Sequence, residues 1–168
     1  MQPTASRETA IDLTHGPFNE ILNLDFREMA RNPQAIDEMN VTGEELLNIL
    51  CAFDNYGVWR LDIASSQVLW TEDVFRIHEL PQTNGPVDLE AAVSRYHPDD
   101  QQYLPQLIED AIAHKSAFRF VLRLKRAYSG YKLVKSTGKY RETADGRAEM
   151  IGTFSEFQPA NRAIASIG

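Results

Sequence analysis

A chain of 168 residues, 43% of them hydrophobic, is long enough for one packed domain with a short extension at either end. Its net charge of −7 argues against a general nucleic-acid binder, which needs a basic face, and its single cysteine, Cys51, can form neither an internal disulfide nor a zinc site alone. No apolar run reaches membrane-spanning length and the first residues lack a secretory signal, so neither nucleic acid nor membrane is expected as a partner and the expected setting is reduced and cytoplasmic.

The first 16 residues are polar and read as a loose arm. From Pro17, Phe18, Ile21, Leu22 and Met29 recur at helical spacing, and Asn32-Pro33 should end that helix. Thr42 and Glu45 stand at capping-box spacing before Leu46, Leu47, Leu50 and Phe53, which predicts a helix over 42–54. Residues 58–63 alternate, placing Trp59, Leu61 and Ile63 on one strand face. A turn at Ala64-Ser65-Ser66 leads to a return strand over 67–70. Thr71 can cap a short helix over 72–80 with Val74, Phe75 and Ile77 as core residues.

After a turn-rich loop at 81–86, residues 88–96 read as another short helix. Pro98 suits a first helical position, and Asp99 and Asp100 favour a helix N-terminus. The apolar pattern continues to Lys115, but Pro105 conflicts with an unbroken helix and predicts a kink or restart. Three strands follow, over 118–126, 131–140 and 148–157, joined by turns at Ser129-Gly130 and Asp145-Gly146. Phe118, Phe120, Leu122 and Leu124 share a face in the first; Val134, Ser136 and Gly138 share one in the second. Lys132, Lys135 and Lys139 read as a solvated strand face.

Four segments carry a resemblance to a known family. They are Gly57-Val58-Trp59-Arg60-Leu61-Asp62-Ile63, Val68-Leu69-Trp70-Thr71, His97-Pro98-Asp99-Asp100, and Thr143-Ala144-Asp145-Gly146-Arg147 with Ile151-Gly152-Thr153. In order and spacing they resemble the PAS domain, in the subgroup common in bacterial sensor kinases and cyclic-dinucleotide signalling proteins. The resemblance implies an α+β fold: a five-stranded antiparallel sheet with helices on one face and a small pocket between them. An N-terminal helical extension or a second subunit often covers the other face. Residues 1–43 then form an arm and helical extension, 44–158 the domain and 159–168 a tail. The family usually closes on Asp-Ile-Thr and a charged helix, whereas this chain has Glu156-Phe157-Gln158 and then Pro159. Only nine residues follow that proline, which sets the expectation of a free-standing module.

Trp59, Phe75, Tyr96, Phe120, Val134, Ser136 and Gly138 are the candidate pocket residues. The small Ser136 and Gly138 leave room either for a ligand or for a large neighbouring side chain. His97 is expected to fix the helix entry beside Pro98. His78 and His114 are weighed as haem ligands and Cys51 as a flavin-adduct cysteine, but no surrounding motif matches those subgroups. No cofactor, metal or catalytic residue is expected, and Asp62, Glu72, Glu109 and Asp110 read as surface charges. Phe18, Ile21, Leu22, Leu46, Leu47, Leu50 and Phe53 are the candidate interaction residues. The expected function is a non-enzymatic sensory or docking module in bacterial two-component signalling, forming a homodimer and meeting a histidine kinase or similar protein. The alternatives are a small-molecule, haem or flavin input domain of a larger kinase or cyclase, and a small isomerase-like enzyme on a cone-shaped α+β fold.

Overall fold

The computed structural model describes residues 31–157. The expected helix from Pro17, with Phe18, Ile21 and Leu22, and the tail after Phe157 lie outside those residues. A 3-10 turn (Asp37–Met39) leads into α1 (Gly43–Leu50), then β1 (Tyr56–Asp62), β2 (Gln67–Trp70), α2 (Glu72–His78), α3 (Leu89–Ser94), α4 (Pro98–Gln101), α5 (Tyr103–Ala113), β3 (Ala117–Lys125), β4 (Tyr131–Glu142) and β5 (Ala148–Phe157). The five strands form one antiparallel sheet in the order β2-β1-β5-β4-β3. The expected α+β architecture is therefore the observed one.

Alternation sets which face is buried. Trp59 and Leu61 from β1, Phe118, Phe120, Leu122 and Leu124 from β3, Val134 from β4 and Met150 and Phe154 from β5 all point to the helix side. Val74 and Ile77 of α2 and Leu104, Leu107 and Ala111 of α5 close on them. The two hairpin turns after β3 and β4 place Gly130 and Gly146 at φ +71° and +80°, a region that side-chain-bearing residues avoid.

Several local expectations are corrected. The helix begins at the expected capping box, with Thr42 Oγ1 accepting from the Glu45 amide at 3.1 Å and Glu45 accepting from the Thr42 amide at 2.7 Å. It stops at Leu50 rather than near residue 54, because β1 starts early, at Tyr56 opposite Ser155, and Phe53 falls in the connecting turn. Thr71 precedes α2 but does not cap it with its side chain; Oγ1 instead accepts from the Val58 amide at 2.9 Å and ties α2 to β1. The helix after Pro98 breaks at Gln102, one turn before Pro105, where the proline ring would meet the Gln101 carbonyl.

Among the charged residues one expectation is corrected and another gains a tertiary partner. Lys132 is not part of a solvated stripe. It shares the parity of Val134, is 6% exposed, and its Nζ pairs with Glu156 at 2.8 Å and Glu79 at 3.5 Å. Asp100 stands in the first turn of α4, as expected, and is buried there. It accepts from the Arg123 amide at 2.9 Å and from the guanidinium at 2.6 and 3.1 Å. That contact seals edge strand β3. Backbone bonds run along the same edge: the His97 amide donates to the Arg123 carbonyl and the Lys125 amide to the Arg95 carbonyl. At the other edge, the Val87 amide donates to the Val68 carbonyl of β2 at 2.8 Å.

Candidate functional site: an apolar cavity between sheet and helices

Between the inner sheet face and α2, α3 and α5 lies a cavity of about 90 Å³. Trp59, Leu61, Val68, Trp70, Phe118, Phe120, Ser136 and Phe154 form its sheet wall; His78, Leu89, Ala92, Val93, Tyr96, Leu104 and Ile108 close it from the helical side. Leu89 is 40% exposed and so stands at its rim. No carboxylate, lysine or arginine lines it.

The cavity is shaped by how one large side chain is seated. Trp59 on β1 pairs with Gly152 on β5, which pairs with Gly138 on β4. The indole lies over both glycines: a Cβ added at Gly138 would stand 2.6 Å from the Phe118 ring and 2.7 Å from Trp59, and one at Gly152 would stand 2.6 Å from Trp59. Reaching across β5, the indole Nε1–H donates to Ser136 Oγ on β4 at 3.1 Å. Phe118 stacks on the indole, and Phe120 stacks on Phe118. The room left by the small residues is thus divided. Gly138 is a seat for Trp59, and Ser136 opens onto the cavity.

Of the seven residues expected to line a pocket, Trp59, Tyr96, Phe120 and Ser136 do so. Phe75, Val134 and Gly138 do not. Phe75 packs edge-on against the far side of Trp70, Val134 is wholly enclosed in the core between β3 and β5, and Gly138 lies beneath the indole. Sequence reading passed over Phe154 as a wall residue and left the facing of His78 open. His78, the last residue of α2, faces Trp70, on which it stacks at 4.3 Å.

The polar atoms of the wall can be assigned. His78 Nδ1 lies 2.9 Å from the Val74 carbonyl, which only accepts, so Nδ1 carries the proton. Nε2 is then an acceptor and takes the Tyr96 hydroxyl proton at 3.0 Å. Burial is the main cause that pushes the imidazole down to about 4, aided by the cations Lys132 and Arg95 and opposed by the Val74 bond. Burial also pushes the Tyr96 phenol well up, so both groups are neutral at physiological pH.

These assignments bear on the cofactors weighed from sequence. Both ring nitrogens of His78 are engaged, which leaves no lone pair for a haem iron. His114 sits exposed at the end of α5 with Nδ1 beside the Asp110 carbonyl, outside the cavity. Cys51 lies at the end of α1, where its thiol donates to the Leu47 carbonyl, and does not reach the cavity wall. The volume is well below the roughly 300–1,000 Å³ of sites for drug-sized ligands. The residues present do not fit haem or a flavin adduct. Among the described residues no group of three or more His, Cys, Asp or Glu side chains is placed to hold a metal ion, and no helix is long and apolar enough to cross a membrane.

The expected role of His97 is seen in its geometry: Nδ1 accepts from the Asp99 amide at 3.2 Å and fixes the entry to α4. On the other side of the molecule, α1 buries none of its residues. Met39, Ile49, Leu50 and Phe53 are each more than half exposed, with Ile36 and Leu46 at 38%. The expected interaction residues Leu46, Leu50 and Phe53 belong to this patch, and Leu47 is half-buried beside it.

Comparison with known proteins agrees with this architecture. The family model described as the PAS fold matches residues 67–154, just over half of the chain. No curated protein matches the sequence. Among solved structures, an RNA-binding light-oxygen-voltage receptor superposes with a TM-score of 0.55 at 14% identity, over 64% of this chain and 32% of the receptor, so the likeness spans about a third of that protein's length. The N-terminal domain of a diguanylate cyclase with PAS/PAC sensor from Marinobacter aquaeolei gives 0.52 at 14% identity, over 60% of this chain and 94% of that one. A sensory box histidine kinase/response regulator from Burkholderia thailandensis gives 0.51 at 12% identity, over 65% and 82%. At such identities the structural likeness speaks to fold; the family model adds membership, and the chain belongs to the PAS fold family of sensory domains.

Proposed function

We propose that this chain is a non-catalytic sensory module of bacterial signalling that works by docking, first to a second copy of itself and then to a signalling protein such as a histidine kinase. The observation that carries this reading is the run of exposed apolar side chains from Ile36 to Phe53. It lies outside the core, and α1 contributes nothing to that core. Covering side chains of this class is worth about 1.5–3 kcal/mol each when burial is complete, enough for a self-association that buries several of them. The unit that docks is taken as residues 44–158 with the preceding extension, and its setting as the cytoplasm. Sedimentation velocity tests the reading. The chain should sediment as a dimer at micromolar concentration, and Ile49→Glu with Leu50→Glu should yield a folded monomer. A strictly monomeric parent, or a dimer indifferent to both changes, would remove the support.

A second reading rests on a different observation, the cavity with its apolar wall and neutral polar groups. In this reading the domain takes up a small molecule, and occupancy shifts the population of docked and undocked states. The two readings are compatible, since α1 and the cavity lie on separate parts of the molecule.

A further inference from the structure

The polar groups at the cavity divide into closed pairs and one open donor. His78 and Tyr96 satisfy each other, with the second imidazole nitrogen held by the Val74 carbonyl. Ser136 is different. A hydroxyl offers one proton and two lone pairs. One lone pair accepts the Trp59 indole proton at 3.1 Å, and among the described residues no acceptor takes the hydroxyl's own proton. Ser136 is 1% exposed and borders the cavity, so the cavity is the side from which a partner for this proton can come.

We propose that the cavity selects a compact, uncharged molecule with one carbonyl-type acceptor, which Ser136 Oγ–H grips while aromatic and aliphatic side chains enclose the remainder. This rests on the reading of the cavity as a small-molecule site and narrows it to a ligand class. Three observations set the limits. The volume of about 90 Å³ is smaller than the roughly 150 Å³ cavity that admits benzene in an engineered protein core, which points to about four to six non-hydrogen atoms. The lining contains no ionised side chain, so an ammonium or carboxylate ligand would give up its hydration without a counter-charge. The wall leaves one donor open, the Ser136 proton, since the protons of Trp59, His78 and Tyr96 are already given to partners. A carbonyl oxygen asks for just such a single donor, and its alkyl arms match the rest of the wall.

The Trp59 indole proton reports on the site directly, because it is bonded to the same oxygen. The test titrates the full chain with three molecules of nearly equal shape, 2-butanone, 2-methylbutane and sec-butylammonium, and follows the indole N–H resonance. The ketone should give a saturable shift, the ammonium none. Ser136→Ala should weaken the ketone by roughly five- to tenfold, the scale of one hydrogen bond, while leaving the alkane unchanged or tighter. Because that variant also strips the indole of its acceptor, infrared spectra of the carbon-13-labelled ketone on the unaltered protein give an independent reading. The bound carbonyl stretch should lie lower than in an alkane solvent. An unshifted stretch, equal ketone binding by Ser136→Ala, or binding of the ammonium would overturn the assignment of ligand class. If neither ketone nor alkane perturbs the cavity resonances, it is the underlying small-molecule reading that fails.

Discussion

Replacing Asp100 with alanine removes the one side chain that closes edge strand β3 against α4. The carboxylate is buried and takes three hydrogen bonds, from the Arg123 amide at 2.9 Å and from its guanidinium at 3.1 and 2.6 Å. Arg123 itself is 12% exposed at the side chain, and the next carboxylate, Asp99, stands 3.9 Å away. Deleting one partner of a buried ion pair costs about 3–5 kcal/mol. The guanidinium can turn partly to solvent and to Asp99, which places this case at the lower end, about 3 kcal/mol, while the Arg123 amide is left without its acceptor. In a domain of this size that corresponds to a fall in melting temperature of about 10 °C. Asp100→Asn keeps one acceptor oxygen and should fall between the parent and alanine. Urea unfolding followed by tryptophan fluorescence measures the loss, and amide exchange at Arg123 and His97 measures its location. A loss below about 1 kcal/mol, or no faster exchange along this edge, would show that the contact is incidental to the sheet.

Two further outcomes follow from the cavity wall. His78 is held near pKa 4 in the folded protein against an ordinary value of 6.5, so the unfolded chain binds its proton first as pH falls. Its contribution to stability is complete above about pH 6.5 and is lost on descending toward 4. Between pH 7.5 and 5.0 the parent should lose about 2 kcal/mol more than His78→Phe in urea unfolding, and equal losses would contradict the buried neutral imidazole. Gly138→Ala drives a methyl group to 2.6 Å from the Phe118 ring and 2.7 Å from Trp59, an overpacking of about 1–3 kcal/mol, and should move the indole N–H resonance by disturbing its bond to Ser136; an unmoved resonance would mean that the indole is not seated there.

Strand positions and faces were legible in the sequence wherever period-two alternation was strong. Phe118, Phe120, Leu122 and Leu124 need no context to share a face, and β2 and β5 have the expected bounds, although β5 alternates less cleanly. Partnerships across the fold were not legible. Parity with Val134 puts Lys132 on the inner face, but nothing local marks the carboxylates that let it stay there, Glu79 at the end of α2 and Glu156 of β5. Asp100 carries a strong local signal as a helix N-terminal acid and holds that position, but nothing local foretells its pairing with Arg123. The same limit explains the pocket. Ser136 and Gly138 are both small and share a face, and only the reach of Trp59 over Gly152 decides that one is a floor and the other a wall.

The buried polar groups also separate structure from function. Asp100 and Arg123 meet three times over at a strand edge, and Lys132 lies between two carboxylates where α2 and β5 come together. Such groups are satisfied within the fold and have no capacity left for a ligand. Ser136 is buried to the same degree but is half-used: its oxygen is committed to Trp59 and its proton is not. A hydroxyl in that position costs desolvation that the fold alone does not offset, whereas alanine would preserve the packing and lose only the indole's acceptor. An incoming acceptor changes that balance, and through the shared oxygen it also strengthens the bond to an indole that rests on β5 and β4. Occupancy of the cavity would therefore tighten three strands of the sheet together, β1 through Trp59, β5 through the contact with Gly152 and β4 through Ser136.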